Sequence, residues 1–214
     1  MSNKYKTIIF DFDGTIADTF GVFYAILREL GPQIGIGELT PEDILEYRQK
    51  GAKELIKQFK IKAWRIPFLI KKGQKIFGKH IDSTRPFEEI PEVLRLLFES
   101  KIKLGIVTTN TEKTVRELLE KWDLEVFDFI ISTPSLFGKK RALKKILRRY
   151  RLKKEEVIYI GDEVRDIESA KSAGITTGCV VWGYNARELL LSHSPDFVFE
   201  KPKDIVELRY SENS

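Results

Sequence analysis

The sequence predicts an α/β protein: a parallel sheet with helices on both faces, interrupted by one all-helical insert. Three observations predict it. Short apolar runs at residues 8–10, 104–107 and 157–160 read as buried strands, and each ends in acidic or hydroxyl residues. From Pro86 onward such runs alternate with amphipathic helical patterns, as βαβ units do. Between Thr19 and Arg85 helical spacings recur and no convincing strand appears.

The first run, Ile8-Ile9-Phe10, delivers two carboxylates, Asp11 and Asp13, at its carboxyl end. Strand positions i and i+2 point the same way, so the two acids lie side by side. Burying unpaired acids together is costly unless a cation lies between them or one of them does chemistry. Gly14 then allows a turn that a substrate can approach closely.

Val22, Phe23, Ile26 and Leu30 fall at helical spacing, and Gly31-Pro32 stops that helix. Thr40-Pro41-Glu42-Asp43 reads as a helix start, with Thr40 as N-cap and Asp43 completing a capping box. Gly51 breaks this helix, and Ala52, Leu55, Ile56 and Phe59 form the apolar stripe of the next. A further helix is expected over residues 64–77, bent at Pro67.

After Pro86 a helix over 91–100 precedes the strand at 104–107, which ends in Thr108, Thr109 and Asn110. A helix from Thr111 through Trp122 and a strand at 129–132 follow. Phe137-Gly138-Lys139-Lys140 is a turn opening a basic helix whose buried stripe is Ala142, Leu143, Ile146, Leu147 and Tyr150. The strand at 157–160 runs into Gly161-Asp162-Glu163-Val164-Arg165-Asp166, and the next helix ends at Gly174. Strands at 177–182 and 197–199 and a polar tail finish the chain. If strands 8–10 and 157–160 are parallel neighbours, their carboxyl ends meet where ligands of open α/β sheets bind. Asp11, Asp13 and Asp162 would then form one acidic cage. Hard oxygen ligands of this kind suit magnesium (Mg2+), which keeps several waters and takes phosphate oxygens.

Composition narrows the class. The 214 residues suffice for one well-buried core plus a small inserted domain. The single cysteine, Cys179, leaves no intramolecular disulfide and fits a reducing compartment. The first ten residues do not form a signal peptide and no run is apolar enough to span a membrane, so a cytoplasmic protein is expected. The net charge of +5 is concentrated: Glu54 is the only acid between Arg48 and Lys79, and Lys139 to Lys154 contains none. Solvated helix faces are the favoured reading, over a positive field that attracts anionic substrates or nucleic acid.

Acid pair, hydroxyl, lysine and second acid pair, in that order, resemble the four motifs of the haloacid dehalogenase superfamily. The specific part is Asp11-Phe12-Asp13-Gly14-Thr15 after a strand, with Gly161-Asp162 and Asp166 about 150 residues later. The resemblance covers nearly the whole chain. It implies a Rossmann-like core of residues 1–18 and 85–214, with a helical cap of residues 19–84 that closes over the site. It implies a magnesium-dependent phosphatase in which Asp11 is the nucleophile and forms an aspartyl phosphate. Asp13 would protonate the leaving oxygen, deprotonate water and bind the metal through its backbone carbonyl. Members that dehalogenate lack this second acid and the metal.

Thr108, helped by Thr109 and Asn110, would bind a phosphoryl oxygen, and Lys139 would supply a fixed positive charge, with Lys140 as its rival. Asp162 should bind the metal directly. Asp166 would act through water or by orienting Lys139, and Glu163 is a third candidate. Trp182-Gly183-Tyr184-Asn185 resembles a segment of phosphoglycolate-phosphatase-like members, so a small phosphorylated metabolite is the expected substrate. Arg48 and Lys53 flank Gly51, and Arg48 is expected to bind a carboxylate on it. A phosphosugar mutase and a nucleic-acid end phosphatase are the alternatives on the same motifs. A non-enzymatic interaction protein would be expected to have lost Asp11 or Asp13.

Overall fold

The computed structural model describes residues 4–37, 40–133, 135 and 138–209; Phe137 and the tail residues 210–214 lie outside them. In chain order the elements are β1 (Thr7–Phe10), β2 (Ala17–Asp18), α1 (Phe20–Leu30), α2 (Pro41–Gln58), α3 (Ile66–Gly78), β3 (Arg85–Pro86), α4 (Ile90–Glu99) and β4 (Lys103–Thr108). They continue with α5 (Glu112–Lys121), β5 (Phe129–Ser132), α6 (Lys139–Arg149), β6 (Val157–Gly161), α7 (Val164–Ala173), β7 (Thr176–Val180), α8 (Arg187–Ser192) and β8 (Phe197–Phe199).

Six strands form one sheet in the order β5-β4-β1-β6-β7-β8, and every neighbouring pair is parallel. β1 is central: Ile8 stands against Leu104 on one side and Ile158 on the other. The chain first fills the β4–β5 side and then crosses to β6, so strand order reverses at β1. Such a reversal opens a crevice at the carboxyl ends of the strands.

Both faces of the sheet are covered. Ile8 and Phe10 belong to an apolar layer with Leu94 and Leu97 of α4 and Leu118 of α5. Ile9 belongs to the opposite layer with Leu143 and Ile146 of α6 and Ala170 of α7. This is why the β1 run is apolar at successive positions rather than alternating.

Residues 17–18 and 85–86 pair antiparallel, Asp18 against Arg85, and α1, α2 and α3 lie between them. No strand occurs among the described residues from 19 to 84. The rings of Phe23 and Tyr47, 4.7 Å apart, join α1 to α2. Gly73 of α3 lies against Ile26 of α1, where an added Cβ would be 3.5 Å from a methyl carbon. The roots of this helical layer are continuous with the core, since Val22 and Phe77 join the main apolar cluster.

Local signals hold where their geometry is self-contained. The capping box forms as expected: Asp43 N donates to Thr40 Oγ1 at 3.2 Å and Thr40 N donates to Asp43 Oδ2 at 2.8 Å. Gly51 interrupts α2 with φ 70° and ψ 165°, while helix continues on both sides. Pro67 does not bend a helix. It sits in the first turn of α3, where its missing N–H costs no hydrogen bond, and a short 3₁₀ turn precedes it. The strand expected at 177–182 is shorter, ending at Val180, because β8 pairs with only its last three residues and the chain then turns toward the site. The six-residue α8 is too short for its periodicity to register in the sequence.

Candidate active site

The crevice gathers side chains from four strand or helix ends. Asp11 follows β1; its N–H donates to Ile160 O at 2.8 Å, which continues the β1–β6 pairing to the rim. Its Oδ1 accepts from Phe12 N at 2.8 Å. Its Oδ2 lies 2.5 Å from Lys139 Nζ. Lys139 opens α6 and is fully buried, whereas Lys140 is exposed, so the fold itself chooses between them. Lys139 also reaches Asp166 Oδ1 at 2.6 Å. Asp166 is held further by the Tyr159 hydroxyl at 3.2 Å and by Glu163 N at 3.1 Å.

Asp162 follows β6 and is buried. Thr15 Oγ1 donates to its Oδ1 and Tyr184 N to its Oδ2, each at 2.8 Å. Two glycines make room for this carboxylate: a Cβ on Gly14 would lie 2.3 Å from it and one on Gly183 2.2 Å from its Cβ. One oxygen from each of Asp11, Asp162 and Asp166 lies within 4.8 Å of the others. Three buried carboxylates lie together and one buried lysine pairs with two of them, Asp11 and Asp166, so the cluster has an excess of negative charge and only hard oxygen donors. That donor set fits a small divalent cation. The Asp13 carboxylate is outside this trio.

Burial pushes the Asp11 carboxyl up to about 7, with Lys139 pulling it down. Burial likewise pushes Asp13 up to about 6. Asp162 is raised well above the carboxylate range by burial and then by Glu163. Burial lowers Lys139, but Asp11 and Asp166 outweigh it and its pKa ends above the ordinary value. A carboxyl that titrates near neutrality, as Asp13 does, can both donate and accept a proton there. Asp13 Oδ1 is buried and has no hydrogen-bond partner.

Asp13 lines a cavity of about 520 Å³ whose walls also include Thr109, Asn110, Glu163, Arg165 and Tyr184. Thr108 lies just behind, fully buried, its Oγ1 accepting from Asn110 N at 2.9 Å. The helical layer closes the far wall and touches the core beside the crevice: Gln74 Nε2 donates to Thr109 O at 2.6 Å. Arg48 is not brought into this cavity. Its carbonyl accepts from Ala186 N at 2.8 Å, and it lines an adjoining hollow of about 210 Å³ with Gly14, Asp18, Phe87 and Trp182, which shares Phe20 and Tyr184 with the larger cavity. The turn at Gly51 against Asn185 and Leu189 accounts for this placement.

Arg165 escaped the sequence reading, and Glu163, a third candidate for the metal, and Tyr184 take places it did not assign. Glu163 is neither solvated nor in the carboxylate trio; it is buried and ion-paired with Arg165, whose Nε donates at 2.6 Å. Arg165 Nη1 is buried without a partner. The Tyr184 hydroxyl is 2.6 Å from Thr19 Oγ1. The available signal was the density of charge in Glu163-Val164-Arg165, but nothing local says which way Arg165 turns. Cys179 is buried and its thiol is pushed up to about 12, first by burial, which leaves it no role as a nucleophile.

Comparison with known proteins agrees with this geometry. The family model of haloacid dehalogenase-like hydrolases matches residues 8–180. The chain is 28% identical to a phosphoglycolate phosphatase of Synechococcus elongatus, covering 94% of this chain and 96% of that one. It is 30% identical to the pyrophosphatase PpaX of Listeria welshimeri, covering 96% and 97%. A solved structure of a haloacid dehalogenase-like family hydrolase from Streptococcus pneumoniae superposes with a TM-score of 0.78 at 22% identity, covering 96% and 98%, and so supports the fold. The chain is therefore an enzyme of the haloacid dehalogenase-like hydrolase family, and it stands with that family's phosphatases.

Proposed function

We propose that this enzyme is a magnesium-dependent phosphatase that acts on small phosphate monoesters through an aspartyl phosphate formed on Asp11. The observation that carries the reading is the convergence of Asp11, Lys139, Asp162 and Asp166 in one buried cluster beside the unpaired oxygen of Asp13. Asp11 attacks phosphorus in line. The ester P–O bond breaks, its electron pair leaves on the alcohol oxygen, and Asp13 supplies the proton. Water then gives a proton to Asp13 and attacks the acyl phosphate, freeing Asp11 and inorganic phosphate. Lys139 holds Asp11 in place and sets its charge beside the phosphoryl oxygens. Thr108, Thr109 and Asn110 offer donors to those oxygens.

Asp11, Asp162 and Asp166 would hold magnesium together with the Asp13 carbonyl. When bound, the ion would offset repulsion between the carboxylates and the phosphoryl group. Residues 19–84 would act as the cap that shuts water out, hinged where residues 17–18 meet 85–86. No helix among the described residues is long and apolar enough to cross a membrane, and a single buried thiol suits a reducing, cytoplasmic setting.

The test is phosphate release from phosphoglycolate and from an aryl phosphate. Chelation should abolish it and magnesium restore it. Asp11→Asn should lower kcat by on the order of 10³-fold or more while the melting transition survives. Full turnover after exhaustive chelation, or in Asp11→Asn, overturns the reading.

A further inference from the structure

The cavity beside Asp13 has a second half that the phosphoryl chemistry does not use. We infer that this half takes the body of the substrate and that the body is apolar: the substrate class is the phosphate monoester of a hydrocarbon-rich alcohol, not a short acid with two anionic ends. The inference rests on the phosphatase reading above and narrows its substrate.

Three observations carry it. The first is continuity. The wall that starts at Asp13 and Asn110 runs without a break between α1, α2 and α3 to Leu30, Ile44, Leu55, Ile56 and Phe59. An ester anchored by its phosphate would have its alcohol carbons in that space. The second is size. At about 520 Å³ the cavity falls within the range of sites that enclose drug-sized ligands. A two-carbon acid would leave most of it empty, and an apolar void does not hold ordered water. The third is charge. Among the described lining residues Arg165 is the only cation, and it is ion-paired with Glu163. Asp13, Asp43, Glu46 and Glu163 also line the cavity, while none of the lysines from Lys50 to Lys79 does. A second anion on the substrate would meet a negative field with no free cation to balance it. Arg165 Nη1, buried and unpartnered, remains as a donor for the phosphate end.

The experiment measures kcat/KM with magnesium for ethyl, butyl, hexyl and octyl phosphate, all below micellar concentration, and for phosphoglycolate. The expected result is a rise of about fourfold per added methylene, the increment of burying one CH2, and so on the order of a thousandfold from ethyl to octyl when all six added methylenes are buried. Phosphoglycolate should rank with or below ethyl phosphate. Ala52→Phe, which places a ring in the apolar half, should cut the octyl-to-ethyl ratio at least tenfold, with its melting curve recorded as a check on folding. Octylphosphonate binding, by titration against ethylphosphonate, gives the same comparison without turnover or a variant. A flat or falling chain-length series, with phosphoglycolate preferred, overturns the inference and leaves the phosphatase reading standing. No phosphate release from any ester overturns both.

Discussion

Lys139 binds two carboxylates at once, and that makes it the residue on which the site's stability turns. It is buried with Asp11 and Asp166 on either side at 2.5 and 2.6 Å. Removing its charge would leave both acids buried without their cation. Lys139→Met, measured in chelator by denaturant unfolding, should lose about 3–5 kcal/mol. A loss under about 1 kcal/mol would mean that the pair is solvated in solution. Arg48 stands at the other extreme. It lines the smaller hollow, not the cavity that Asp13 lines, and is only partly buried. Arg48→Ala should therefore change the phosphoglycolate-to-ethyl-phosphate ratio of kcat/KM by no more than about fivefold, the range of a solvated charge. A larger change would place Arg48 against the bound substrate.

At the level of elements, the interruption of α2 is the feature most open to test. Gly51 has φ 70° and ψ 165°, a region that only glycine occupies without strain. Space is not the obstacle, because a Cβ there would make ordinary contacts of 3.6 Å with Asn185 and Leu189. Gly51→Ala should thus be destabilising through the backbone alone, by about 1–3 kcal/mol. Calorimetry should show it as a melting transition lowered by several degrees. An unchanged transition would mean that the helical layer unfolds without crossing that backbone strain. The same kink sets Arg48 and Ala52 on different sides of the layer, one toward the 184–187 turn and the other toward the cavity.

For the whole molecule, the excess of buried carboxylate over lysine predicts linkage between folding and metal. Three acids converge from β1, β6 and α7, elements brought together only in the native sheet. A cation that binds this cluster and not the unfolded chain stabilises the fold by mass action. At a hundred times its Kd the gain is about 2.7 kcal/mol. Magnesium should therefore raise the melting temperature, whereas the same ionic strength of sodium chloride should not. Asp162→Asn should remove the magnesium-dependent part. Equal effects of the two salts would argue against a site at these residues.

What the sequence determined by itself was whatever depends on short spacing. The apolar runs ending in Asp11 and Asp162, the capping box at Thr40, the stop at Gly174 and the helical character of residues 19–84 are local patterns with local causes, so they could be read in order along the chain. What the tertiary structure decided was whatever depends on approach between distant segments. Lys139 rather than Lys140 is buried because α6 packs on the sheet with one face. Thr15 and Tyr184 reach Asp162 because strand order reverses at β1, and no spacing along the chain encodes that contact. The apolar stripe of Leu55, Ile56 and Phe59 looked in the sequence like ordinary helix packing. Whether such a stripe fills its neighbour's grooves or faces a hollow is set by how the helices approach one another, at Gly73 against Ile26 and at the turn at Gly51, rather than by the stripe itself.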